Sequence, residues 1–281
     1  MPELPEVETV RRGLNRLTRD REIQGGEVLL ARTIAYPVSI ETFLDGLRDV
    51  SIASWQRRGK YLLASLQQGD RSGGWLGVHL RMTGQLLWCD RSDPLSPHVR
   101  VRLFFADEKE LRFVDIRTFG KMWWVSPDRD IETIISGLQK LGPEPLTPEF
   151  SAVYLKTVLS RTKRPIKTVL LDQRAIAGLG NIYADEALFK SGIRPDTIAS
   201  HLEDKQINAL YQAIVDVLST AIAKGGTTFS DFLNLLGVPG NYGDSALVYG
   251  RTGKTCRTCS SAIERIKIGG RSSHFCPECQ Q

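Results

Sequence analysis

The chain opens Met1-Pro2-Glu3-Leu4-Pro5-Glu6-Val7-Glu8-Thr9-Val10. A cytosolic aminopeptidase is expected to remove Met1 because a residue as small as proline follows, leaving Pro2 with a free secondary amine. An α-amino group titrates near pKa ~8, against ~10.4 for a lysine side chain, so roughly a tenth is unprotonated at pH 7. Such an amine can attack a carbonyl-like carbon and form a Schiff base, which is covalent catalysis without a cofactor. Glu3 is close enough in sequence to act as the acid or base that this chemistry needs. The same residues also suit a plain helix start, since proline is favoured in a first turn and Glu3, Glu6 and Glu8 complement the positive end of the dipole. Val7, Val10, Leu14 and Leu17 then form an apolar stripe at helical spacing, with Arg11, Arg12, Arg16 and Arg19 as solvent candidates.

A second chemistry sits at the far end. Cys256-x2-Cys259 and Cys276-x2-Cys279 are separated by sixteen residues. Each pair suits a tight turn presenting two sulfurs, and four thiolates suit tetrahedral Zn²⁺ with no position left for a water, so the expectation is one structural zinc per chain. A disulfide framework is the alternative, disfavoured by the reducing compartment inferred below. His274 could replace one ligand but is not needed, and Cys89 stands alone. Between the pairs, Ile263–Ile268 alternates like a strand, Gly269-Gly270 makes a hairpin turn, and Arg271–Cys276 returns. Residues 249–281 hold six Lys/Arg and two Glu; zinc held by four thiolates would lower that net charge further, so placement more than total charge would draw an anion.

The elements that must position these ends read differently in the two halves. At 281 residues the chain can hold two cores, and 41% hydrophobic with 25% charged residues is ordinary for a globular protein. A net charge of +5 fits a polyanionic partner without requiring one. No apolar run approaches the ~18 residues of a membrane helix and the N-terminus is acidic, so a cytosolic protein without a membrane partner is expected. Residues 22–125 read mostly as strands, among them Glu27–Ile34, Lys60–Leu66, Trp75–His79, Val99–Phe105 and Leu111–Val114, with a short helix at Glu41–Leu47. Many short strands with turns between them indicate an antiparallel sandwich or barrel. Four prolines in 126–150 mark a boundary. Helical patterns follow at Glu149–Leu159, Pro165–Leu171, Tyr183–Lys190 and Asp204–Lys224.

Several motifs lie on that frame. Gln56-Arg57-Arg58-Gly59-Lys60 reads as a solvated basic turn before a strand. In Val78-His79-Leu80-Arg81-Met82-Thr83-Gly84, Met82 reads as core filler and His79 as a structural histidine. Arg117 and Phe119, two apart on a loop, suit a DNA reader in which a planar wedge enters the stack and a fork of donors meets a base edge. Ala177-Gly178-Leu179-Gly180-Asn181 lacks the third glycine and the parallel unit of a dinucleotide loop. It reads better as a tight helix–turn–helix connection whose N–H groups and Asn181 grip a phosphate. Residues 151–174 carry Lys156, Arg161, Lys163, Arg164, Lys167 and Arg174 against Asp172 alone on the approach to it. Lys224-Gly225-Gly226-Thr227-Thr228-Phe229 stops the last long helix and leads to the glycine-rich Leu236–Asp244, the composition of a mobile loop.

Pro2–Leu14, PELPEVETVRRGL, resembles the opening of the formamidopyrimidine-DNA glycosylases, bacterial repair enzymes for oxidised purines. The resemblance extends through the whole chain. It implies an α+β fold: an N-terminal helix with an antiparallel β-sandwich domain (1–135), a linker (136–150), a helix–two-turn–helix DNA-binding domain (151–248) and a β-hairpin zinc finger with four cysteine ligands (249–281). It implies base excision through a Schiff base at Pro2, assisted by Glu3, then AP lyase cleavage by β,δ-elimination, with Glu6 supporting the site. Lys60 is implied close to the lesion and its phosphates. Met82, Arg117 and Phe119 would fill the gap left by the extruded base, with Arg117 recognising the orphaned cytosine. His98, Lys163 and Asn181 would contact the DNA, Arg271 would join the catalytic group by contacting phosphate near the lesion, and the loop 236–244 would close over the base through residues that the sequence does not identify. The implied partner is damaged duplex DNA, bound by a monomer in the bacterial cytoplasm at the nucleoid, with no catalytic metal or organic cofactor. Two readings stand beside it. The endonuclease VIII-like glycosylases for oxidised pyrimidines share Pro2-Glu3 and the finger, but Leu4 and the split of the gap-fillers favour the purine branch. A non-catalytic damaged-DNA-binding protein would have no use for Pro2, Glu3 and Lys60 together.

Overall fold

The computed structural model describes residues 1–227, 235–238 and 240–281. Thr228 and Phe229 at the expected helix stop, and Pro239 in the glycine-rich stretch, lie outside the described residues. The chain forms two compact units, Met1–Gln139 with Gly225–Asn241, and Lys140–Lys224 with Tyr242–Gln281. Among the described residues no helix is long and apolar enough to cross a membrane.

The first unit holds α1 (Leu4–Thr18), β1 (Glu22–Ile23), β2 (Gly25–Val28), β3 (Ile34–Tyr36), α2 (Ile40–Leu47), β4 (Val50–Arg58), β5 (Tyr61–Gln68), β6 (Arg71–His79), β7 (Gly84–Asp90), β8 (Val99–Phe104), β9 (Lys109–Asp115), β10 (Lys121–Val125) and the one-turn α3 (Ile131–Ile134). Its strands make a six-stranded sheet, β1-β4-β5-β6-β10-β3, and a four-stranded sheet, β2-β8-β9-β7. Pairing is antiparallel except between β3 and β10. Inward side chains of both sheets, such as Ile52, Leu62 and Leu76 from one and Val101, Leu103 and Phe113 from the other, share one core. The apolar stripe of α1 enters it through Val7, Val10 and Leu14, all buried. Each such side chain contributes roughly 1.5–3 kcal/mol.

The expected strand Glu27–Ile34 is broken. The chain leaves the four-stranded sheet after Val28, turns through a short 3-10 helix at Ala31–Thr33, and enters the six-stranded sheet as β3. The basic cluster at Gln56 is also not a turn. Gln56, Arg57 and Arg58 end β4, and only Gly59 and Lys60 connect it to β5. β4, β7 and β10 fall within the strand-rich stretch but are not delimited by the sequence, because a bulge near Ile52 and Ser54 and the polar or aromatic runs WQRR, LLWCD and KMWWV obscure the alternation.

α1 docks on β4 by polar contacts as well. The Asn15 amide donates to the Trp55 carbonyl and accepts from the Trp55 N–H, both at 2.8 Å. The Trp55 indole N–H donates to Thr18 Oγ1 at 3.0 Å. Glu8, buried at the start of the helix, accepts from Arg11, Arg12 and Arg57.

The second unit holds α4 (Ala152–Leu159), α5 (Ile166–Leu170), α6 (Asn181–Lys190), α7 (Asp204–Ala223), β11 (Glu264–Ile268) and β12 (Arg271–Phe275). All four helices fall where the periodicity places them. Their core is built from Leu155, Leu159, Val169, Leu170, Tyr183, Leu188, Leu210, Ile214 and Leu218. β11 and β12 pair antiparallel with Ile268 opposite Arg271, so Gly269 and Gly270 form the expected two-residue turn. The architecture is the expected α+β one.

Burial raises the Glu8 pKa, but the bonds from Arg11 and Arg12 and the charges of Arg11 and Arg57 outweigh it, and the value falls from 4.5 to about 2. A depressed carboxylate stabilises the fold fully above its unfolded pKa and loses that contribution as pH falls. Thermal melts should therefore show Glu8→Gln below the wild type above pH 4.5, with the gap closing as pH falls towards 2.

Candidate functional site

The first turn of α1 is held from two sides. The Glu3 N–H donates to Glu6 Oε2 at 2.8 Å, and the Glu6 N–H donates back to the Glu3 carboxylate, completing a capping box. The other Glu6 oxygen accepts the Thr227 N–H, also at 2.8 Å, from the second segment of the same unit. Gly226 (φ +79°) makes that approach possible, since a Cβ there would stand 2.8 Å from Glu6 Oε1. Pro2, Glu3 and Glu6 are all buried, while Met1 remains 42% exposed. With Met1 attached the Pro2 nitrogen is an amide, so removing Met1 is what creates the amine.

Lys60 is fixed by the β4–β5 turn. Arg58 pairs with Tyr61, and Gly59 takes the positive φ (55°) that a two-residue hairpin favours at its first position. Arg57 donates to the Gly59 carbonyl at 3.1 Å and to Glu8 of α1 at 3.3 Å, tying the Lys60 turn to the helix that follows Pro2 and Glu3. Lys60 is only 8% exposed.

His79 is a residue whose setting the sequence conceals. Tyr61 pairs with His79 across β5 and β6, and their rings meet edge to face. The Arg81 N–H donates to His79 Nδ1 at 3.0 Å, which leaves the proton on Nε2. Burial, then the charges of Arg81 and Lys60, push the pKa down to about 3, so the ring is neutral at neutral pH. A histidine at the end of a strand carries no sequence signal for this, because Lys60 and Tyr61 reach it from a neighbouring strand and turn and only Arg81 is local.

Met82, Arg117 and Phe119 lie on two loops, 80–83 between β6 and β7 and 116–120 between β9 and β10. Met82 is not core filler: it is 38% exposed, and Phe119 is 51% exposed with the Arg117 guanidinium 5.1 Å from its ring centroid. His98 is half-buried beside Arg100, and its carbonyl accepts the Asp115 N–H at 2.9 Å.

In the second unit Lys163 and Arg271 are exposed. Arg271 and Gly269 share a groove with Arg164, Thr168 and Asp172. Asn181 opens α6 and donates one amide N–H to the Ser272 carbonyl at 3.0 Å, and the NH₂ group carries a second hydrogen for another acceptor. Lys167, one of the basic residues on the approach to the glycine turn, does not face outward with the others. It is fully buried, donating to Asp185 and to the Asn181 carbonyl. Asp185 also accepts the backbone N–H and the Nδ1–H of His274, each at 3.0 Å. Its neighbour Glu186 accepts the N–H groups of Leu247, Val248 and Tyr249 at 2.8–2.9 Å. Two consecutive acids of α6 thus hold the hairpin and the segment that precedes it, and neither was singled out from the sequence.

The four cysteines converge. Their sulfurs all lie within 4.8 Å of one another, with Cys256–Cys279 at 4.0 Å and Cys259–Cys276 at 3.3 Å. Zn–S bonds of ~2.3 Å in a tetrahedron put sulfurs ~3.8 Å apart, so the set fits zinc. His274 is engaged with Asp185 and is not one of the set.

Three family models match the chain: the formamidopyrimidine-DNA glycosylase N-terminal domain over residues 1–122, the H2TH domain of the same enzymes over 141–232, and the zinc finger found in FPG and IleRS over 253–281. The formamidopyrimidine-DNA glycosylases of Nostoc punctiforme and Trichormus variabilis are 62% and 61% identical, covering 100% of this chain and 96% and 100% of their own. Two solved structures are similar throughout. One is wild-type Lactococcus lactis Fpg with a DNA containing N7-benzyl-Fapy-dG (TM-score 0.90, 35% identity, 100% of both chains). The other is Lactococcus lactis Fpg with an abasic site containing DNA (TM-score 0.89, 36% identity, 99% of both chains). With matches that run from end to end, the chain belongs to the formamidopyrimidine-DNA glycosylase family of DNA-repair enzymes.

Proposed function

We propose that the mature chain, beginning at Pro2, excises oxidised purines such as 8-oxoguanine and formamidopyrimidines from duplex DNA and then cleaves the strand as an AP lyase. The observation that supports this reading is the clamped first turn, in which Glu6 holds the N–H of Glu3, the residue next to Pro2, with one oxygen and the Thr227 N–H with the other. An amine at a free chain end would otherwise sample many positions, and holding it is worth orders of magnitude in rate.

In this reading the Pro2 nitrogen attacks C1′ of the damaged nucleotide and loses its proton, and the base leaves with the bonding pair. Glu3 protonates O4′ as the sugar ring opens, giving the iminium form of the Schiff base. Loss of a C2′ proton expels the 3′ phosphate, and the δ-elimination that follows expels the 5′ phosphate. Lys60 acts beside the lesion and its phosphates. Met82, Arg117 and Phe119 occupy the vacated gap, with Arg117 reading the orphaned cytosine, which agrees with their exposure. His98, Lys163, Asn181 and Arg271 bind backbone, and the protein works as a monomer at the nucleoid. Cys256, Cys259, Cys276 and Cys279 would hold a zinc that supplies rigidity to the finger and leaves no open position for chemistry.

Three measurements test this. Borohydride reduction with a duplex carrying 8-oxoguanine opposite cytosine should trap a covalent band whose peptide mass maps to Pro2. Pro2→Gly should weaken trapping and excision severely, and Lys60→Ala should weaken excision selectively. A band formed only with oxidised pyrimidine would move the chain to the endonuclease VIII-like branch, and tight binding without any band would leave a non-catalytic reader. Arg271→Ala should lower affinity at all sequences and reduce the salt slope by about 1; an unchanged affinity would remove Arg271 from the phosphate contacts. Metal analysis should find one zinc per chain, lost in Cys259→Ser together with DNA affinity and thermal stability.

A further inference from the structure

The loops that carry Met82 and Arg117–Phe119 are adjacent at both ends. Gly84 pairs with Asp115 in the four-stranded sheet, and His79 pairs with Lys121 in the six-stranded sheet. Each loop therefore crosses from one sheet to the other beside its neighbour. Each also bends through a left-handed non-glycine residue, Arg81 (φ +56°) and Thr118 (φ +58°), a backbone state that surrounding contacts must hold.

Thr83 supplies such contacts between the loops. Its hydroxyl donates to Asp115 Oδ1 at 2.5 Å and accepts the Arg117 N–H at 3.0 Å. The second oxygen of Asp115 accepts the Gly120 N–H at 2.7 Å. Asp115 is itself buried and fastened through its backbone, donating to the His98 carbonyl at 2.9 Å and accepting from Arg100 Nε at 2.8 Å. The residue after Met82 is thus bonded to the start of the second loop, and the anchor it uses also fixes that loop's end.

We propose that Thr83 is a positioning residue whose hydroxyl couples the two loops, so that Met82, Arg117 and Phe119 enter a duplex as one body. The inference rests on the gap-filling reading above. Three exposed side chains on independent loops would each have to be ordered during insertion, and a preformed unit avoids that entropy. The arrangement also fixes the Arg117 backbone through the same hydroxyl, so its guanidinium starts from one place when it meets the orphaned base.

The test compares wild type, Thr83→Val and Thr83→Ser, all full-length, zinc-loaded and lacking Met1, in single-turnover excision. One substrate is a duplex with 8-oxoguanine opposite cytosine; the other carries the same lesion in a pre-opened bubble, where no stacked base has to be displaced. Thr83→Val keeps the side-chain shape, and should lose ~10-fold on the duplex, the size of one hydrogen bond to a charged group. Its rate on the bubble should match wild type, measured well below a melting temperature that the unpaired Asp115 oxygen lowers, and Thr83→Ser should recover the duplex rate. Equal rates for Thr83→Val and wild type on the duplex would overturn the proposal, as would an equal loss on both substrates. A wild type inactive on both would overturn the glycosylase reading, and this inference with it.

Discussion

The structure turns on one buried carboxylate. A chain terminus is where backbone order is weakest, yet the chemistry proposed here is carried by the second residue. Glu6 resolves this by accepting the Glu3 N–H with one oxygen and the Thr227 N–H with the other. The bonds differ in kind. The first closes a capping box within one turn, and the second reaches 221 residues along the chain. Buried acceptors are costly to leave unmade, so the second segment of the unit and the first helical turn require each other. Glu8, further along the same helix, extends the hold through Arg57 to the turn of Lys60.

A similar economy governs the remaining polar groups of each unit. In the first, the Thr83 hydroxyl and Asp115 serve two loops that would otherwise move separately. In the second, Asp185 binds Lys167 and His274 while Glu186 collects three successive backbone N–H groups. Buried ionic groups are tolerated where every lone pair finds a donor. These clusters draw their donors from different elements, which gives them fold specificity as well as attraction.

That is also why the sequence was legible in some places and not in others. The cysteine pairs, the hairpin turn at Gly269-Gly270 and the four helices of the second unit are local patterns, so spacing alone locates them. The family was readable because PELPEVETV is a contiguous run. Lys167 misled because the basic residues just before it, Arg161, Lys163 and Arg164, are exposed, while its buried partner Asp185 lies 18 residues on. β4 was hidden by its bulge and its arginines, and Arg57 among them proved to hold Glu8 and the Lys60 turn. Thr83 drew no reading of its own, since its bonds depend on two strand registers that no single segment encodes.

The division of the first unit into Met1–Gln139 and Gly225–Asn241 bears on how the protein is made. Domains generally fold in the order in which they are synthesised, but this one is interrupted by the whole of Lys140–Lys224. The first helix leaves the ribosome early, and Met1 is open to processing, while the partner of its Glu6 is residue 227 of 281. If Pro2 is the nucleophile as proposed, a nascent chain would expose that amine long before the clamp around it can close. The end of the molecule that is built first is completed among the last.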